Sequence, residues 1–95
     1  MNLVWSPQAV DDLAALRAFI AQDDSKAAQR IAARIVQAVE TLIPANPHIG
    51  RPGRVPGTRE LVIAQTPFVA PYRVRDGTIE ILRVFHGARR WPERF

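Results

Sequence analysis

The chain has 95 residues, too few for two separate cores, and its 47% hydrophobic and 23% charged content excludes a disordered segment. It has no cysteine, which excludes a disulfide framework and a thiolate metal site, and two histidines offer no metal set. Net charge is +4, and all but one of its 13 basic residues are arginine, the exception being Lys26. The guanidinium's fixed charge and planar fork suit carboxylates and phosphates, so an acidic partner is expected, either nucleic acid or an acidic protein segment.

One domain is expected over residues 1–95. The opening "MNLVWSPQAVDD" has neither the basic nor the apolar region of a secretory signal, and no apolar run approaches ~20 residues. A cytoplasmic protein with no membrane segment is therefore expected.

Asn2 to Trp5 predicts a short first strand. Ser6 suits a helix N-cap and Pro7 the first helical position, where a missing N–H costs nothing. Val10, Leu13, Leu16 or Arg17, and Ile20 mark the apolar stripe of a helix to about Ala21. Asp24 caps a second helix that runs until Pro44. Ala28, Ile31, Ile35, Ala38 and Leu42 line one stripe there, with Ala32, Val36, Val39 and Ile43 beside it, while Arg30, Arg34, Gln37 and Thr41 take the other side. The two helices read as a hairpin whose wide apolar face is either all core or, in so small a chain, partly uncovered until a partner helix arrives.

Pro44 to Gly57, "PANPHIGRPGRVPG", is a loop of helix and strand breakers. Strands are expected at Thr58 to Ala64, Phe68 to Val74 and Thr78 to His86, with a tight turn at Arg75 to Gly77. Pro71 demotes the middle strand to an edge, a bulge or a bend. The fold class is α+β: an N-terminal strand, a helical hairpin, then a three-stranded antiparallel meander, with the helices on one face of the sheet. The first strand joins the same sheet.

The last strand exits through "FHGARRW", which delivers an imidazole, two guanidiniums and an indole. Alternation puts Leu82, Val84 and His86 on one face and Arg83 on the other. If His86, Arg73 and Arg59 converge, they supply the minimum for cleaving RNA without a metal. His86 would serve as acid or base and the arginines as clamps for charge building on phosphorus. The plainer reading makes these surface arginines and a strand-end histidine. His48, with Arg51 and Arg54 in the breaker loop, is either a second acid–base group, a phosphate contact or a solvated loop residue. Trp91 is a stacking platform for a base, or an apolar anchor pinning the tail to the helices.

The order strand, helix, helix, three strands, with "NPHIGRPG" and the closing "IEILRVFHGARRW", resembles the ParE/RelE superfamily of bacterial toxins over nearly the whole chain. The loop and the strand end look more like ParE than RelE. The resemblance implies a toxin of a type II toxin–antitoxin module, neutralised by a cognate ParD- or RelB-like antitoxin in a hetero-oligomer, with no cofactor. ParE-like members inhibit DNA gyrase as binders, and RelE-like members cut messenger RNA at the ribosome. On the first reading Arg83, Arg89, Arg90 and Trp91 contact target or antitoxin. On the second, His86, Arg73 and Arg59 are catalytic. A non-toxic antitoxin-binding module is the third alternative.

Overall fold

In the computed structural model, which describes residues 1–95, the Ser6 hydroxyl accepts the Ala9 N–H at 3.0 Å and opens helix α1, Pro7–Ala21. Asp24 does the same with the Ala27 N–H, also at 3.0 Å, and opens α2, Ser25–Ala45. Pro44 falls inside α2 rather than stopping it, because a missing N–H in the final turn removes one bond and the helix needs only one more residue.

The stripe on α1 starts one residue earlier than the sequence predicts. Ala9 is buried, with Leu13 and Leu16 packed against the core, while Val10 is exposed. On α2 the buried line is Ala28, Ile35, Val39 and Ile43, and Leu42 faces solvent.

The strands are β1 Asn2–Trp5, β2 Arg51–Pro52, β3 Arg59–Val62, β4 Phe68–Arg75, β5 Thr78–Ile81 and β6 Phe85–His86. They form one six-stranded sheet in the order β1-β5-β4-β3-β2, with β6 pairing β4 beyond the end of β5. β1 joins it as expected, parallel to β5, and the remaining pairs are antiparallel. Asp76 and Gly77 both take positive φ, 53° and 74°, which makes the two-residue β4–β5 turn that matches strand twist. The breaker loop also contributes β2, which the sequence does not signal.

Pro71 has a different effect from the one its sequence context suggests. β4 is a central strand, and the interruption falls on its neighbour. Tyr72 pairs with Ile81 and Val69 with Phe85, so Ala70 and Pro71 face three residues, Leu82, Arg83 and Val84. That is a bulge, and it splits the expected Thr78–His86 strand into β5 and β6. The Leu82 N–H still donates to Pro71 O at 2.9 Å, but proline has no N–H to return. The orphaned Leu82 carbonyl accepts the Ser6 hydroxyl at 2.8 Å instead, and Ser6 N–H bonds Ile81 O at 2.9 Å. The residue that caps α1 therefore also repairs the gap in the sheet.

Both helices lie on one face, over Ile63, Ala70, Tyr72, Ile79, Ile81 and Val84. The extra residue in the bulge reverses the alternation. Val84 and His86 stay on the helix side, whereas Leu82 and Phe85 turn to the free side. There the tail crosses the sheet: Trp91 and Phe95 pack on Phe85 at 5.1 and 6.1 Å between ring centroids. Trp91 thus anchors the tail, but to the free face of the sheet rather than to the helices.

Candidate functional site

Cross-strand partners share a face, so strand register fixes where each predicted site residue lies. Arg73 pairs with Glu80 on the free face. His86 pairs with Phe68 on the helix side, its ring edge-on to Phe68 at 5.8 Å. Arg59 pairs with Tyr72, also on the helix side but about 13 Å from His86 along β4. The three do not gather. Each also has a local partner. Arg73 donates through Nε and Nη2 to Glu80 at 3.3 Å, Arg59 donates to Gly50 O at 2.8 Å, and His86 Nδ1 accepts the Ala88 N–H at 3.1 Å. His48 is exposed in the loop, far from His86, with its backbone N–H bonded to Asn46 Oδ1.

Several arginines are consumed within the fold. Arg51 and Arg54 clasp Glu60, a buried carboxylate that also accepts the Arg54 backbone N–H at 2.8 Å. Arg54 then lies over the Trp91 ring at 3.8 Å and donates to Gly87 O, knitting the loop to the tail. Arg73 and Arg75 share Glu80, and the Arg73 hydrogen bond is the main cause holding that carboxyl below its ordinary range. Arg83 binds Asp12 with Nε at 2.7 Å and Nη2 at 2.9 Å, and Asp12 also accepts the Val84 N–H at 3.0 Å. That hydrogen bonding pushes the Arg83 pKa up, so its charge is permanent. Arg17, Arg30 and Arg34 on the helices, and Arg89, Arg90 and Arg94 in the tail, form no ion pair.

Asp12, Glu60 and Tyr72 carry structural roles that the sequence does not single out. The Tyr72 hydroxyl donates to Pro47 O at 2.8 Å and accepts the Gly50 N–H at 2.9 Å, which fastens the breaker loop to the core. A Cβ at Gly50 would meet the Tyr72 ring at 2.6 Å, so only glycine permits that approach.

Helix α1 separates two apolar grooves. One, toward α2, is lined by Val10, Leu13, Ala14, Ala32, Ala33 and Val36, with Arg17 at its rim. The other, of about 570 Å³, lies between α1 and the end of the sheet. Leu16, Phe19, Ile20, Ile31, Phe68 and Val84 form its walls, and Asp12, His86 and Arg89 its polar rim. Phe19 is 69% exposed, a large aromatic left in water at the mouth of a concave apolar surface. Of the two readings of the hairpin's apolar face, all core or partly uncovered, the second holds. Phe19 was missed because it lies outside the 3.6-residue core stripe, which is itself the signal that could have found it. No helix is long and apolar enough to cross a membrane.

An α+β domain with a helical hairpin on a bulged sheet, an arginine-bearing tail and apolar grooves beside α1 has the layout of a small bacterial toxin. Residues 3–91 match the ParE toxin family of type II toxin–antitoxin systems, parDE, and the chain belongs to that family. Among curated relatives, Y4kP of Sinorhizobium fredii, named as a candidate toxin, is 46% identical over 90 residues, covering 94% of this chain and 91% of the relative. Toxin RelE2 of Caulobacter vibrioides is 40% identical over 88 residues, covering 93% and 97%. The chain also resembles a structure of the chromosomal ParDE system from P. aeruginosa, with a TM-score of 0.81 and 36% identity over 90% of this chain and 95% of that one. The RelBE2 toxin–antitoxin complex from Mycobacterium tuberculosis gives 0.66 and 26% over the same shares.

Proposed function

We propose that this protein is a cytoplasmic toxin that inhibits DNA gyrase by binding it, and that an acidic ParD-like antitoxin holds it inactive by covering α1 and its two grooves. The observation that carries the first half is the separation of His86, Arg73 and Arg59. Metal-free RNA cleavage needs an acid, a base and cations around one phosphate. Here the imidazole and one guanidinium lie on opposite faces of the sheet, and the third group sits four residues away along β4. Inhibition by binding requires no such cluster. The unpaired Arg89 and Arg90, with Trp91 behind them, offer the target a cationic, partly aromatic tail.

The antitoxin reading rests on the exposed Phe19 and Val10 together with Arg17 and Arg89, guanidiniums without an ion pair at the rims of the two grooves. Apolar surface rimmed by cations fits an amphipathic segment bearing carboxylates.

Expression of the chain alone, followed by parallel assays of gyrase supercoiling and of translation, tests the target. Loss of supercoiling at micromolar toxin with messages intact is the expected result. Unaffected gyrase with cut messages would establish the alternative, a ribosome-dependent endoribonuclease, which the 40% identity to a protein named RelE2 keeps specific. Harmless expression with both assays unchanged would establish a non-toxic antitoxin-binding module.

A further inference from the structure

A second concavity, unlike the apolar grooves, lies on the free face between the sheet and the tail. It encloses about 420 Å³, and Arg73, Arg83, Arg94, Glu80, Gln8 and Phe95 are among its walls. Arg73 and Arg83 are each held by a carboxylate along one edge of the guanidinium, through Nε and Nη2. The Nη1 group of each is left without a bond. Arg94 makes no ion pair at all. Arg73, Arg83 and Arg94 line the cleft together with Glu80, and Asp12 holds Arg83 from α1. Arg94 is therefore the guanidinium of the cleft that no side-chain carboxylate pairs.

We propose that this cleft binds a phosphoryl group and that the tail closes over it. The ion pairs to Asp12 and Glu80 fix Arg73 and Arg83 in place before any ligand arrives, which reduces the ordering that binding would otherwise require. Three forks around one centre suit the several oxygens of a phosphoryl group, whereas a carboxylate would leave one fork idle. The cleft falls within the size range of small-ligand sites.

The tail supplies the closing part. No backbone hydrogen bond holds any residue beyond Arg89, whose N–H bonds His86 O. Arg90 to Phe95 are kept down by ring contacts to Phe85 and by Arg54 over Trp91. The Trp91 indole N–H is buried without a partner, a deficit that keeps this closure shallow. A phosphoryl group engaging Arg94 would add a charge-assisted contact and draw the tail onto the sheet.

The chain has two tryptophans, so two indole N–H resonances report the effect in the unmodified protein. Trp5 lies on β1 with its N–H bonded to Glu40, away from the tail. Inorganic phosphate at pH 7 is titrated at constant ionic strength against sodium chloride. Saturable movement of the Trp91 and Phe95 signals, with Trp5 still, is the expected result. Arg94→Gln, at an exposed position with no internal partner, should weaken the effect by about tenfold or more while leaving the thermal midpoint unchanged. A 5′-mononucleotide in a second arm separates the sources. Tighter binding than phosphate, lost in Phe95→Ala, identifies a nucleotide stacked on Phe95, and equal binding identifies the free anion. Equal responses to phosphate and chloride, or an unaltered phosphate titration in Arg94→Gln, would overturn the proposal. None of these outcomes bears on gyrase or the antitoxin.

Discussion

Phe19→Ala separates the partner surface from the core. A fully buried phenylalanine removes about 200 Å² from water. With 69% of that surface exposed, about 140 Å² is open for the antitoxin to cover if it docks on α1 as proposed. At ~25 cal/mol per Å² this is worth roughly 3.5 kcal/mol, and the methyl group that alanine keeps reduces the loss to about 2–3 kcal/mol. The antitoxin's dissociation constant should therefore rise about 30- to 150-fold. The fold should lose less: the remaining third, about 60 Å², contributes roughly 1.5 kcal/mol to the toxin's own stability, and the alanine methyl keeps part of it. Titration calorimetry with the cognate antitoxin gives the first quantity and urea unfolding of the free toxin the second. Val62→Ala, an exposed apolar site on β3, serves as control. Affinity within threefold of wild type would refute the placement of the antitoxin over α1, whatever the target of the toxin.

Other expected outcomes concern the groups that hold the site in shape. Asp12→Ala strips three hydrogen bonds from the bulge and leaves the partly buried Arg83 unpaired, so stability should fall by about 2 kcal/mol and the midpoint by on the order of 10 °C, checked by thermal unfolding. A loss under about 1 kcal/mol would mean that the clasp is not what joins α1 to the bulge. Tyr72 is the single tyrosine, so absorbance at ~295 nm reads its ionisation alone. Burial raises its pKa, and the unfolded chain therefore gives up the proton first, near pH ~10. Stability contributed below that pH should decline as pH rises toward the folded value, and Tyr72→Phe should remove this alkaline slope while costing about 2 kcal/mol at neutrality. Glu80 has the opposite sign. Its lowered pKa contributes stability above the ordinary carboxyl range, and that contribution is lost as pH falls through the folded value. Arg73→Ala should flatten this acid limb, as measured by urea unfolding between pH 6 and pH 2.

The helices were legible because their signals are local: Ser6–Pro7 and Asp24 act within one turn, and the apolar spacing of α2 is regular. The Asp76–Gly77 turn was legible for the same reason. What Pro71 does was not, because its consequence appears on another strand and is repaired by Ser6, 65 positions earlier in the chain. That one-residue slip also defeated the face assignment at the exit, sending Leu82 and Phe85 to one side and His86 to the other. The arginines show the same limit. Their number and chemistry were plain, yet whether each is free depends on Asp12, Glu60 and Glu80, which reach them through tertiary packing. The exposed apolar face of the hairpin was one of two readings open in the sequence, and the residue that dominates it, Phe19, was found only in the fold.

β1 pairs with nothing except β5, so Asn2 waits for Thr78 before its backbone is satisfied. A ribosome making this protein releases the first strand long before its only mate exists, and α1 and α2 emerge with no floor beneath them. Such late closure between distant segments slows acquisition of the native state. Any growing chain halted before residue 78 lacks the finished sheet and the tail alike, so a truncated translation product has no closed core for its two helices to rest on.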